Sequence, residues 1–154
     1  MNLKSERGQA LIDLELKDDI VEIKRADLEP VWYGEYDVNE LIFTIVKALQ
    51  NVSVKKYFGV TVLADVLKGT NNKRIFENQL HLVEEFGALK EMPHETVMAI
   101  IDWMIAEHLI LKTKGKYPVL HSTYEGLHYA EKFTSLELKR LKKYLEEEVI
   151  LWNQ

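Results

Sequence analysis

The stretch LKGTNNKRIFENQL, Leu67 to Leu80, holds the residues of this chain best suited to chemistry. Thr70 offers a hydroxyl, Asn71 and Asn72 offer amides, and Lys73 and Arg74 place two adjacent cations just behind Gly69. Two readings fit that spacing. In the first, Gly69 stops one helix and Thr70 or Asn71 caps the next, so the polar residues are punctuation. In the second, free N–H groups at a helix start, a hydroxyl and flanking cations make a phosphate-binding site.

No constellation for catalysis accompanies it. The histidines at 81, 94, 108, 121 and 128 lack metal-ligand spacing such as H-x-x-x-H on one helix face, and they read as surface or boundary residues. There is no G-x-x-x-x-G-K-[ST] loop and no nucleophile elbow. Glu84-Glu85 and Glu146-Glu147-Glu148 read as solvated faces. The expectation is a chain that does no chemistry by itself and uses no cofactor, metal or small-molecule substrate.

At 154 residues the chain has room for one domain with appendages, and an apolar fraction of 47% implies a real core. It has no cysteine, which excludes disulfides and thiolate metal sites and fits a reducing compartment. No apolar run approaches a membrane span, and MNLKSERGQA lacks a signal-peptide core, so a soluble cytoplasmic protein without a membrane partner is expected. The net charge of −5 argues at first against nucleic acid. Its distribution weakens that argument. Residues 1–36 carry five Lys/Arg against nine Asp/Glu, residues 37–134 eleven against twelve, and the last twenty residues four against four. The middle segment is close to neutral and has room for a local basic face.

The elements follow from periodicity and caps. In residues 1–36, Ile12, Leu14 and Leu16 alternate with acids as in a half-exposed strand, and VEIKRADLEP ends at Pro30; a short hairpin and an arm that orders on a partner both fit. Asp37 caps DVNELIFTIVKALQN, with Glu40 completing an Asp-headed capping box. FGVTVLADVLKG reads as a helix ending at Gly69, and NNKRIFENQLHLVEEFG as a second ending at Gly87. Pro93 opens the longest apolar helix, HETVMAIIDWMIAEHL, in which Trp103 and Met104 are core candidates. LILKTKGKYPVLHST reads as two short strands around a lysine-rich turn, and EGLHYAEKF as a helix. SLELKRLKKYLEEEVILW reads as a separate amphipathic helix capped by Ser135. Its stripe Leu138, Leu141, Leu145 and Val149 serves either as a partner seam or as a face that folds back on the domain.

Helix, helix, helix, hairpin is the order of a winged helix-turn-helix, so the fold class is mostly α with a small β-hairpin. In that architecture the third helix enters a DNA groove and the hairpin lies along the backbone. The wing here carries Lys112, Lys114 and Lys116 with Tyr117 at its tip; lysines on a hairpin also serve simply to protect a sheet edge. The long helix is a poor groove reader. It bears Glu95, Asp102 and Glu107, with only His94 and His108 as basic candidates.

Several phrases together resemble the RQC domain, the winged helix that follows the helicase core and zinc module of RecQ-type DNA helicases. Tyr57-Phe58-Gly59, Leu67-Lys68-Gly69-Thr70, Asn71-Asn72 and Lys73-Arg74-Ile75 are similar to the family's RFG, L-R-G-S, small polar pair, basic residue and Ile. EFGALKEMPHETVMAIIDWMIAEHLI is similar to Y-G-x-x-K-x-x-S-H-E with its long helix, and GKYPVLHSTYEG to G-x-Y-P-V-L-x-L-T-x-x-G. The resemblance runs without a gap from about Asp37 to about Phe133. It implies an acidic arm or hairpin at 1–36, an RQC-like winged helix at 37–134 and a C-terminal helix at 135–154.

The resemblance also implies a function: non-catalytic binding of double-stranded or fork DNA, within or related to an ATP-dependent helicase serving DNA replication, repair and recombination. The family's phosphate contacts carry over to Lys68, Thr70 and Arg74, with Asn71 and Lys73 beside them, and that tilts the opening question toward a phosphate site. His94, Thr96, Lys112, Lys114, Lys116 and Tyr117 complete the implied DNA set; Tyr117 is either a wedge tip stacking on an end base pair or a residue folded back on the domain. The departures are specific. The family's G-H-D-K-L gives way to the more apolar run Gln79 to Val83, and Asp102 and Trp103 replace Arg and Gln in the long helix. The zinc-module cysteines and the ATPase core are absent, as in a fragment or a free-standing relative. The competing expectation is a winged-helix protein-interaction module whose partner is a helicase core or another protein.

Overall fold

The computed structural model describes residues 20–152; the alternation at Ile12, Leu14 and Leu16 lies outside them. Residues 20–31 run without regular structure but bury Ile23 and Ala26 in the core. A two-residue-per-strand hairpin follows, β1 (Trp32–Tyr33) paired antiparallel with β2 (Tyr36–Asp37), and Gly34 supplies the positive φ of its turn.

Helix α1 (Val38–Val52) begins where Asp37 accepts a hydrogen bond from the Asn39 N–H, and it buries Leu41, Ile42, Ile45, Val46 and Leu49 on one face. Glu40 does not complete a capping box. Its carboxylate pairs with Arg25, which also reaches Asp37 Oδ2 at 2.8 Å, so one guanidinium lashes the preceding segment to the start of α1. Behind it lies a closed polar network. The Ala26 N–H donates to the Tyr129 oxygen (3.1 Å), the Tyr129 hydroxyl donates to Asn39 Oδ1 (2.7 Å), and Asn39 Nδ2 donates to the Ala26 carbonyl (2.7 Å). Every polar atom of Tyr129 and Asn39 in that buried group is satisfied, as burial demands.

Helix α2 (Val60–Lys68) ends at Gly69, whose φ of +70° lets the Gly69 and Thr70 N–H groups turn back onto the carbonyls of Val66 and Asp65. Glycine is also required sterically, because a Cβ there would lie 3.0 Å from the Gly87 Cα. The expected second helix is broken. Helix α3 spans only Lys73–Glu77 and is capped by Asn72, not Thr70 or Asn71, through its side chain and the Ile75 N–H (3.0 Å). Asn78 turns its amide back onto the Arg74 carbonyl, Gln79 adopts φ +58°, and a 3₁₀ turn (Leu80–Leu82) follows. Packing explains the break. Ile75 and Leu80 both enter a small second core with Val52, Phe58, Val62 and Val66. Five residues apart on a continuous helix they would diverge by about 140°. Glu85 is not a solvated face either: it is buried, accepts from Asn51 Nδ2 at 2.9 Å and lies 3.7 Å from Lys47 Nζ.

Helix α4 (His94–Ala106) starts after Pro93 and ends before His108, which takes φ +65°. At 13 residues it is shorter than the 15 of α1. The wing is β3 (Ile110–Lys112) and β4 (Leu120–Ser122), in register Leu111 to His121. The short helix α5 (Tyr124–Leu127) is capped by Thr123, and Gly126 is obligatory because a Cβ would stand 2.1 Å from the Leu109 carbonyl oxygen. A 3₁₀ turn (Tyr129–Glu131) leads to α6 (Ser135–Trp152). Thr134, one residue before the expected Ser135, forms the capping box: its Oγ1 accepts the Leu136 N–H, and Glu137 accepts its N–H at 2.6 Å. These bonds hold the Glu137 carboxyl below its ordinary pKa.

The leucine stripe of α6 folds back. Leu138, Leu141 and Leu145 are fully buried, with α4 as the principal neighbour of α6; the Val149 side chain lies outside the described residues. Arg140 adds a two-pronged ion pair to Glu107 (2.6 and 3.2 Å) and stands over the Trp103 ring. The whole is mostly helical with one antiparallel wing, the winged-helix arrangement.

Two outcomes follow from this packing. Leu141→Ala should lower unfolding free energy by about 2–5 kcal/mol in chemical denaturation, which a loosely attached helix would not show. Tyr129→Phe should cost about 1–3 kcal/mol at neutral pH by stranding the Ala26 N–H and Asn39 Oδ1. Burial pushes the Tyr129 phenol up to about 12, against 10.0 ordinarily. The unfolded chain therefore releases that proton first, and stability falls as pH climbs through that window. The variant should lose that part of the alkaline slope.

Candidate nucleic-acid interface

The turn between α2 and α3 is held from three sides. Ile75 plugs the small core from above, and Gly69 abuts Gly87. The Gly87 and Leu89 N–H groups donate to the carbonyls of Val66 and Leu67 at 2.8 Å, closing the end of α2 with an external strand of chain. Asn72 locks the other end, capping Ile75 while donating to Asp65 Oδ2 at 3.2 Å. A turn fixed this firmly presents its outer residues in one arrangement.

The implied DNA residues fall into three groups. Thr70, Asn71, Lys73 and Arg74 are exposed together on the outside of the turn. The Thr70 N–H is used on Asp65, whereas the N–H groups of Lys73 and Arg74 have no partner among the described residues. Lys73 stands 3.8 Å from Glu77 in a solvent-exposed pair, and such pairs contribute little. The Arg74 guanidinium makes no ion pair among the described residues, leaving its planar fork of donors available.

Lys68 belongs to a different role. It is half-buried, and its ammonium donates to the Lys90 carbonyl at 3.0 Å and to the Met92 carbonyl. It thereby ties the turn to the chain just ahead of α4. There His94 is exposed, but Thr96 is buried at 6% and cannot present its hydroxyl to a large ligand.

The wing forms the third group. The Thr113 N–H donates to the Val119 carbonyl and its hydroxyl accepts the Val119 N–H, closing a loop in which Gly115 takes φ +114°. Lys112, Lys114 and Lys116 are all exposed, and Tyr117 stands out at 80% exposure with Lys116 Nζ 5.6 Å from its ring centre. The tyrosine does not fold back on the domain.

Two cations outside the implied DNA set lie on a loop that packs against the wing. Lys55 and Lys56 are exposed on the loop joining α1 to α2, and Lys55 donates to Gln79 Oε1 at 3.0 Å. The signal was the Lys-Lys pair directly ahead of Tyr57-Phe58-Gly59. Among the described residues, no group of three or more His, Asp or Glu could hold a metal ion, and no helix is long and apolar enough to cross a membrane.

Comparison with known proteins is specific. The model of the RQC domain family matches residues 33–147. The ATP-dependent DNA helicase RecQ of Bacillus subtilis (strain 168) is 29% identical over 75 residues, which is 49% of this chain and 13% of that protein. No solved structure is significantly similar.

The two cations of the turn should separate in a stability assay. Lys68→Ala should cost about 1–3 kcal/mol by removing charged hydrogen bonds to two carbonyls, lowering the thermal midpoint by several degrees. Arg74→Ala should leave the midpoint nearly unchanged. Equal losses would show that the two side chains are not divided between holding the turn and facing solvent.

Proposed function

The chain belongs to the RQC domain family, and from that premise we propose that it is a non-catalytic module that binds duplex or forked DNA through the phosphate backbone. The observation that carries the reading is the unpaired, exposed Arg74 on a rigid turn, beside the Thr70 hydroxyl and the Lys73 and Arg74 N–H groups. A guanidinium with adjacent neutral donors matches a phosphate's several acceptor oxygens. Arg74 takes the phosphate, Thr70, Asn71 and Lys73 support it, and Lys68 positions the turn. His94 stands at the margin of the contact, and Thr96 helps seat the start of α4. The wing lysines 112, 114 and 116 follow the neighbouring backbone, and Tyr117 stacks on the terminal base pair at a fork.

Residues 37–134 carry the DNA contacts in this reading, the segment before them straps onto α1, and α6 buttresses α4. The module works as part of, or as a relative of, a RecQ-type ATP-dependent helicase in the cytoplasm, in DNA replication, repair and recombination. Backbone contact makes binding strongly salt-dependent and weakly sequence-selective.

One observation favours a second reading, a protein-interaction module: the exposed positions of α4 include the acids Glu95 and Asp102. A single titration separates the two. Fluorescence anisotropy with a labelled fork should show Arg74→Ala weakening binding alike for unrelated sequences and reducing the log–log salt slope by about one unit. Unchanged affinity and slope would remove Arg74 from the interface, and no DNA binding by the unaltered chain at low salt would favour the protein partner.

A further inference from the structure

We infer that the cleft between the 53–59 loop and the segment following α3 takes the unpaired strand of a DNA fork, with Lys55 and Lys56 on its phosphates and Phe76, beside the cleft on α3, as a stacking platform for a base. This inference rests on the DNA-binding reading above and extends it to residues that reading does not use.

The loop is fastened to the wing on one side and to the chain just past α3 on the other. Toward the wing, the Leu120 N–H donates to the Phe58 carbonyl at 2.8 Å and the Tyr57 ring lies 3.9 Å from that of His121 on β4. Gly59 approaches so closely that a Cβ would stand 3.0 Å from the Pro118 carbonyl oxygen. Toward α3, Lys55 bonds Gln79. Between these fixed points opens a cleft of about 340 Å³ whose lining includes Val54, Lys55, Lys56, Asn78 and Leu82. Such a volume is in the range of small-ligand clefts and suits a nucleotide-sized group.

Charge and exposed apolar area agree on the ligand. Lys55 and Lys56 rim the cleft against one acid in its lining, Glu77, which leaves the rim net positive. Helix α3 buries only Ile75, leaving Phe76 at 47% exposure with its ring centre 4.7 Å from that of His81. Beyond that tilted contact with His81, about half of the Phe76 side chain remains open to solvent. Phe76 lies just outside the cleft lining, next to Glu77, which belongs to it, and Leu82 within the lining is 71% exposed. Cations beside an exposed aromatic face are what a flexible polyanion of stacking bases requires, since phosphates and bases are then held at once.

The test compares the full chain with a blunt duplex and with the same duplex carrying one unpaired arm, by anisotropy at low salt. The arm should tighten binding by the unaltered chain about tenfold. Phe76→Ala, and Lys55→Ala with Lys56→Ala, should each remove about fivefold or more of that gain while leaving blunt-duplex affinity unchanged. If the double lysine variant fails to fold, Phe76→Ala alone decides. Retention of the full gain by the variants overturns the inference, as does the absence of any gain for an unaltered chain that still binds the blunt duplex. The second outcome leaves the DNA-binding reading standing, whereas binding of neither DNA removes both.

Discussion

The burial of Leu138, Leu141 and Leu145 against α4 governs how this domain can work. Three fully buried leucines constitute a core interface of several kcal/mol, and Arg140 closes over its edge through Glu107 and Trp103. Trp103 in turn meets Phe133 edge-on at 6.3 Å. Helix α4 is therefore enclosed along most of its length. The helix that a winged helix-turn-helix would send into a DNA groove keeps only a narrow exposed strip, and that strip is acidic. Exposed cations concentrate instead at the α2–α3 turn and the wing, where chain direction changes and where the proposed reading places DNA.

Those two sites are rigid for different reasons. The turn is pinned by close packing and by donors from outside the helix, with Gly69 against Gly87 and Lys68 bridging to the chain ahead of α4. The wing is pinned by its ladder and by the Thr113–Val119 closure. The 53–59 loop packs against the wing strand β4 and reaches Gln79 beyond α3. Net charge is a poor guide in such a molecule, because screening confines each charge to a range of about 8 Å at physiological salt. A cluster of exposed lysines can then dominate its own surroundings in a chain of net charge −5.

Much of this architecture was legible in the sequence because its signals are local. The Asp37 cap, the Gly69 stop, the Pro93 start and the lysine-rich hairpin each depend on a few adjacent residues, and each lies where those residues indicated. The misreadings depend on distant partners. Nothing within the run NNKRIFENQLHLVEEFG announces that Ile75 and Leu80 share a core with Val52 and Phe58, so an unbroken helix was the natural reading. Glu40 and Glu85 look locally like a cap residue and a solvated acid, because Arg25, Asn51 and Lys47 lie far from them along the chain. Lys68 illustrates the same lesson at the candidate site. Its position in a basic phrase was visible, but its use on the Lys90 and Met92 carbonyls depends on tertiary approach. For Lys55 and Lys56 the sequence offers only an adjacent pair of cations; what their loop touches is set by tertiary contacts.

The central claim is that DNA meets the turn and the wing while α4 stays out of the groove. Amide chemical-shift mapping of the ¹⁵N-labelled chain titrated with a short forked duplex tests it directly. The account predicts perturbations concentrated at residues 70–75 and 112–118, with Asp102 and its exposed neighbours on α4 unmoved. Perturbations centred on the exposed strip of α4, with the turn and the wing unaffected, would contradict it.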